Sequence, residues 1–147
     1  MDIKKQILGI MCLAVIIGVM GCGKASESTV SVNQAPTAIT IVPETKTLSE
    51  NRDASSRIQV ATINISDDGL GTNILTINGI DNSFFEIVEQ NKLYLKAGTL
   101  LNYETKSTYA VVVEVNDSTV GASPNVTANF MLTVSNSNEA PDSIFQS

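Results

Sequence analysis

The C-terminal half of the chain alternates apolar and polar residues with a period of two. Every second residue from Val126 to Val134 is apolar, and the run from Tyr109 to Val115 repeats the pattern. Val112 is an exception, because it places an apolar residue at a polar position. Such alternation is typical of a β-strand with one face buried and the other in water. The pattern therefore predicts two half-buried strands.

Five shorter apolar runs predict further strands at Ala38–Val42, Ile58–Ile65, Ile74–Ile80, Phe85–Val88 and Lys92–Leu95. Turn-forming Asp, Asn and Gly residues separate these runs. Between Ile58 and Ile65 the apolar positions slip by one residue, which predicts a β-bulge near Ala61. Seven short strands in roughly 100 residues predict an all-β fold, a seven-stranded Greek-key sandwich of two sheets.

The chain begins with a basic segment that leads into a short apolar run. Lys4 and Lys5 precede an uncharged, mostly apolar stretch from Ile7 to Met20. That stretch is shorter than the roughly 20 residues needed to cross a bilayer. A basic start followed by a short apolar run is typical of a secretory signal peptide, which we predict for residues 1–21.

The apolar run ends in Val19-Met20-Gly21-Cys22, which resembles the lipobox of bacterial lipoproteins, although Met20 is larger than the residue usual there. The resemblance implies that Cys22 carries lipid and anchors the protein to a membrane of the bacterial cell envelope. A plain signal peptide or an uncleaved apolar helix is the alternative. Because Cys12 lies in the signal peptide, the mature chain keeps one cysteine and forms no internal disulfide.

Composition and charge narrow the range of functions. The chain has 147 residues, with 9 Lys and Arg, 15 Asp and Glu, no His and a net charge of −6. Without His there is no His-based catalysis, His metal ligand or His pH switch, and we expect no enzyme activity. An acidic surface argues against nucleic-acid binding, since phosphates require a basic patch. It suits hard cations instead.

A short repeat marks the boundaries of one domain. The segment NQAP at residues 33–36 recurs as NEAP at residues 138–141. Residues 22–34 are small and polar, which predicts a flexible tether. We therefore expect the domain to span residues 35–137. Residues 138–147 are then a linker and the beginning of an incomplete second repeat.

Four segments follow one another in the order and spacing of a known family: Leu48–Asn51, Leu93–Glu104, Tyr109–Asp117 and Asn136–Pro141. Together they resemble a bacterial cadherin-like repeat from about Asn33 to Pro141. The resemblance implies an immunoglobulin-like Greek-key sandwich that serves adhesion or spacing. It also implies calcium as a cofactor where two repeats meet, and a partner that is another cadherin-like repeat or a surface protein.

The resemblance implies calcium ligands at both ends of the domain. At the C-terminal pole, where the chain leaves the domain, they are Glu50, Asn102, Glu104, Asn136, Asn138 and Glu139. At the N-terminal pole, where the chain enters, they are Asp67 and Asp117, with Asn33 in the preceding tether. Asn102 and Asn136 stand where the family usually has Asp, and Gly69 stands in place of a second Asp. With fewer charged ligands, binding is expected to be weak, on the order of 10⁻⁴–10⁻³ M.

Two alternatives stay open at the level of sequence. Asp67, Asp68 and Asp117 have a plainer interpretation as solvated turn formers, whereas Glu50 with Glu104 favours a weak calcium site. The second concerns function, since the chain is also compatible with a carbohydrate-binding or accessory domain of a larger, truncated extracellular protein. Sugar-binding modules usually present exposed aromatic rings, and the chain has only 3 Tyr, 4 Phe and no Trp.

Overall fold

The computed structural model describes residues 30–121 and 126–137, and the statements below concern those residues. The strands belong to a compact unit that begins at Val32. The predicted signal peptide and lipid site at Cys22 lie outside the described residues. Asn138, Glu139 and the expected second repeat also lie outside them. No helix in the described part of the chain is long and apolar enough to cross a membrane.

Two four-stranded sheets form a sandwich, which confirms the all-β fold. One sheet has the order β1 (Ala38–Pro43), β3 (Ile58–Ser66), β6 (Lys92–Leu95), β5 (Phe85–Val88). The other has the order β2 (Thr47–Ser49), β8 (Val126–Ser135), β7 (Thr108–Asp117), β4 (Asn73–Asn78). Neighbouring strands are antiparallel, except that β2 runs parallel to β8. One turn of 3₁₀ helix, Asn82–Phe84, precedes β5.

The seven strands predicted from alternation are all present, and the structure adds the short strand β2. Three residues are too few to display a period, so sequence alone gave no signal for it. The strand predicted at Ile74–Ile80 lies at Asn73–Asn78 instead. It stops there because Gly79 has φ of +103°, which leaves the extended region, and Ile80 is exposed.

The predicted bulge in β3 is confirmed by the pairing with β6. The register shifts between Gln59 and Ala61, and both Val60 and Ala61 are buried. Two consecutive inward residues are what an inserted residue produces. Ile63 then continues the inward series in the new phase.

The hydrophobic core lies between the two sheets. The inward residues of β7 and β8 face those of β3 and β6, and they are almost completely buried: Val111, Val113, Val115, Leu132, Val134, Val60, Ile63, Leu93 and Leu95. Burial of a side chain of this kind contributes about 1.5–3 kcal/mol. The core therefore holds the strand ends, and the polar residues on them, in fixed positions.

An ion pair joins a buried carboxylate near the core to a partly exposed lysine. Asp81 is only 4% exposed, and its Oδ1 lies 2.7 Å from Lys106 Nζ. Its Oδ2 accepts a hydrogen bond from Ala110 N at 2.8 Å. Lys106 Nζ also lies 5.0 Å from the ring centroid of Tyr109, within range of a cation–π contact. The pair ties the turn after β4 to the strand β7.

Candidate functional site

Strand pairing brings four polar segments together at the N-terminal pole. Ala38 at the start of β1 pairs with Ser66 at the end of β3. Asn73 at the start of β4 pairs with Asp117 at the end of β7. The residues just before and after these strand ends therefore meet at one end of the sandwich.

Asp117 is the centre of this cluster and is completely buried. Its Oδ1 accepts hydrogen bonds from Thr119 Oγ1 at 2.6 Å, Thr119 N at 2.8 Å and Thr72 N at 3.1 Å. Its Oδ2 accepts one from Asn33 Nδ2 at 2.9 Å. These bonds, with that from the Thr119 hydroxyl first, lower the pKa of Asp117 to about 2. The interpretation of Asp117 as a solvated turn residue is therefore wrong.

Three oxygen atoms around Asp117 are buried and lack a hydrogen-bond partner among the described residues. They are Asn33 Oδ1, Asp67 Oδ1 and Asn73 Oδ1. Asn73 Nδ2 donates to Asp67 Oδ2 at 2.7 Å, and Asn33 Nδ2 donates to Asp117 Oδ2. Because Asn73 pairs with Asp117 across β4 and β7, the two bonded pairs lie at the same pole. A buried acceptor without a partner costs about 1–3 kcal/mol. A cation that prefers oxygen ligands would relieve that cost at each of these atoms that it contacts.

Gly71 has no side chain, and the side chains around Asp117 occupy the space that one would fill. A Cβ on Gly71 would lie 2.3 Å from Asp117 Oδ2, 2.4 Å from Asn33 Nδ2 and 2.4 Å from Thr119 Oγ1. Its φ of +73° is also one that side-chain-bearing residues rarely adopt. Glycine is thus required here for two separate reasons, space and backbone conformation.

Asp68 accepts hydrogen bonds from backbone N–H groups rather than from the side chains around Asp117. Its Oδ2 accepts from Gln34 N and its Oδ1 from Leu70 N, both at 2.9 Å. It therefore fixes the end of the tether and the turn after β3. Gly69 has nothing within 4 Å of the position a Cβ would take.

At the C-terminal pole, Glu50 and Glu104 accept hydrogen bonds from two adjacent residues of the segment that follows β8, Ser137 and Asn136. Glu50 Oε1 accepts from Ser137 N at 2.7 Å, and Glu50 Oε2 accepts from Tyr103 N at 3.0 Å. These two bonds hold the pKa of Glu50 below its ordinary value. Glu104 Oε1 accepts from Asn136 Nδ2 at 2.9 Å.

The side chain of Asn102 accepts hydrogen bonds from within its own loop. Its Oδ1 accepts from Thr105 N at 2.8 Å and from Thr105 Oγ1 at 3.0 Å. This is the local bonding by which an Asn stabilises a turn. Calcium binding by Asn102 and the other predicted residues at this pole stays a prediction.

The N-terminal cluster offers two carboxylates and two carboxamides rather than a dense group of acids. In residues 30–121 and 126–137, no set of three or more His, Cys, Asp and Glu side chains gathers as a metal group does. Asp67 and Asp117 carry the charge, and Asn33 and Asn73 add neutral oxygens. Affinity for calcium falls with fewer charged ligands, so this donor set fits weak binding.

Comparisons with known proteins support the fold alone. No model of a known protein family and no curated protein matches the chain. The solved structure titled "PcdhgB3 EC1-4 in 50 mM HEPES" matches at 19% identity and a TM-score of 0.51, over 72% of this chain and 25% of that one. The "Protocadherin gammaB7 EC3-6 cis-dimer structure" matches at 17% identity and a TM-score of 0.51, over 67% of this chain and 24% of that one.

The "Crystal Structure of Human Protocadherin-24 EC1-2" matches at 20% identity and a TM-score of 0.47, over 71% of this chain and 44% of that one. The chain thus spans about a quarter of the length of the first two structures and less than half of the third. The fold is that of a cadherin domain, an immunoglobulin-like β-sandwich.

Proposed function

We propose that the protein is a cadherin-like extracellular module for adhesion or spacing, with weak calcium binding at its N-terminal pole. We further propose that lipid on Cys22 anchors it to the bacterial cell envelope. The cluster of three buried, unpartnered oxygens around Asp117 is the observation that supports calcium binding. The lipobox resemblance of residues 19–22 supports the anchor.

The residues that would hold the ion are Asn33, Asp67 and Asn73, with Asp117 beside them. Calcium takes 6–8 oxygen ligands, which include carboxylates and amide carbonyls. The ion would supply positive charge between two carboxylates. Asn33 belongs to the tether, Asp67 follows β3 and Asn73 begins β4, so groups from three segments would be joined at one point. Calcium binding would therefore stiffen the connection between the tether and the sandwich.

Calcium is expected to raise the Tm of the purified full chain. At 10 mM calcium and a Kd of 10⁻⁴–10⁻³ M, binding to the folded state alone adds about 1.4–2.7 kcal/mol, which raises Tm by about 6–15 °C. Differential scanning calorimetry with calcium and with a chelator measures the shift. Asp67→Asn keeps the shape but removes one charge, so its shift should be much smaller.

Glu44→Gln is the matched control, because it removes one exposed carboxylate that follows the end of β1 opposite to the N-terminal pole. It should keep the full calcium shift. A Tm that does not respond to several millimolar calcium contradicts the metal proposal and leaves the fold unaffected.

The lipid anchor has its own test. In a bacterial host, mass spectrometry of the membrane fraction should find a mature N-terminus at Cys22 that carries diacylglycerol. Cys22→Ser should abolish this modification, since serine lacks the thiol to which the lipid is attached. A mature N-terminus at any other residue contradicts the anchor.

The side chains give the carbohydrate-binding alternative little support. Of the six aromatic residues in the described part of the chain, only Tyr103 is exposed. The guanidinium of Arg57 lies 5.0 Å from the centroid of the Tyr94 ring. A sugar-stacking platform requires an accessible ring face, and a single exposed tyrosine is thin support for one.

A further inference from the structure

The segment that leaves β8 is held by side chains of the domain itself. Ser137 donates its backbone N–H to Glu50, and Asn136 donates its side-chain N–H to Glu104. The second oxygen of Glu50 accepts from Tyr103 N in the loop before β7. Three donors from the chain thus occupy carboxylate oxygens at this pole.

The two poles differ in how their oxygens are satisfied. Every buried side-chain oxygen without a partner, among residues 30–121 and 126–137, lies at the N-terminal pole. At the C-terminal pole both oxygens of Glu50, one oxygen of Glu104 and the side-chain oxygen of Asn102 accept hydrogen bonds within the chain. The N-terminal pole thus keeps three buried oxygens without a donor, whereas donors from the outgoing segment reach both Glu50 and Glu104 at the C-terminal pole.

The identity of residue 136 decides whether Glu104 receives a donor from the outgoing segment. A carboxamide can donate to Glu104, whereas an ionised carboxylate only accepts. A carboxylate at position 136 would repel Glu104 and would need a cation between the two groups. Asn136 therefore supplies by hydrogen bonding what a cation would otherwise supply.

We propose that the C-terminal pole holds its outgoing segment without a metal ion, because Asn136 donates a hydrogen bond to Glu104 where a cation would otherwise bind. Glu50 and Glu104 then bind residues 136–137 in place of calcium. The outgoing segment is then held at this pole whether or not calcium is present. This proposal does not require calcium at the N-terminal pole.

The test is amide hydrogen exchange at Ser137 and Tyr103 in the full chain. All chains carry Asp67→Asn, so that the result does not depend on calcium at the N-terminal pole. With Asn136 present, both amides should exchange at the same rate in chelator and in 10 mM calcium. Asn136→Asp should speed their exchange about tenfold in chelator, as expected for loss of a hydrogen bond to a charged group, and calcium should restore the slow rate.

Asn129→Asp is the control, because Asn129 is an exposed residue of β8 away from this pole and undergoes the same chemical change. It should leave both rates unchanged. Slow exchange at the buried core residue Val113 verifies that each variant is folded. The proposal is overturned if calcium slows exchange at Ser137 when Asn136 is present. It is also overturned if Asn136→Asp leaves exchange in chelator unchanged.

Discussion

Gly71→Ala is expected to lower the free energy of unfolding by about 2–5 kcal/mol. A residue with a side chain in the left-handed region costs about 1–2 kcal/mol. The new Cβ would also overlap Asp117 Oδ2 at 2.3 Å, and such overpacking adds about 1–3 kcal/mol. The overlap would push Asn33 and Asp117 apart, so the calcium-dependent rise in Tm should disappear as well. Urea unfolding with and without calcium measures both effects.

Gly69→Ala is the control for backbone conformation. Gly69 has φ of +79°, close to that of Gly71, but nothing lies within 4 Å of the position its Cβ would take. This variant should lose only the conformational part, about 1–2 kcal/mol, and keep its response to calcium. Equal losses in the two variants would show that Gly71 is needed only for its backbone and that the cluster is not tightly packed.

Lys106→Met is expected to cost about 1–3 kcal/mol, because it leaves the buried carboxylate of Asp81 with one donor, Ala110 N, and no cation. The side chain of Asp81 is 6% exposed and that of Lys106 is 36% exposed, so solvent weakens the pair and reduces the loss. The double variant Asp81→Asn/Lys106→Met removes both charges and should regain at least half of the loss. Thermal unfolding at pH 7 compares the three chains. A Lys106→Met variant as stable as the original would contradict the importance of this pair.

The same pair should show in the pH dependence of stability. Burial alone would raise the pKa of Asp81, but the hydrogen bond and charge of Lys106 and the N–H of Ala110 lower it below its ordinary value. A lowered pKa in the folded state contributes stability that is present above about pH 4 and is lost as the pH falls through the folded pKa. In Lys106→Met, burial should dominate and raise the pKa. The difference in the free energy of unfolding between the original chain and Lys106→Met should therefore become smaller as the pH falls from 7 to 4.

The alternation of residues was enough to predict the sandwich, because each long strand buries one face. The same phase, extended by one step beyond Val115, would have placed Asp117 in the interior, as the structure does. The position of Asn73 beside Asp117 could not be predicted from the alternation. It depends on the pairing of β4 with β7, which joins residues distant in sequence, and on a strand start that the apolar pattern located one residue later.

The C-terminal pole shows a different limit of sequence reasoning. The resemblance placed Glu50 and Glu104 at one pole. In the structure, both accept hydrogen bonds from adjacent residues of the outgoing segment. Residue types alone did not reveal that an amide hydrogen of Asn136 and two backbone N–H groups occupy their oxygens. Hydrogen-bond direction depends on exact geometry, and a carboxylate serves a metal or an N–H equally well.

An NMR titration of the full chain with calcium tests most directly whether the N-terminal pole binds calcium. The side-chain amides of Asn33 and Asn73 should shift and saturate together, with a Kd on the order of 10⁻⁴–10⁻³ M, while that of Asn136 stays in place. Absence of any shift at Asn33 and Asn73 up to 10 mM calcium, about ten times the weaker Kd, would contradict the claim, as would saturable shifts confined to Asn136.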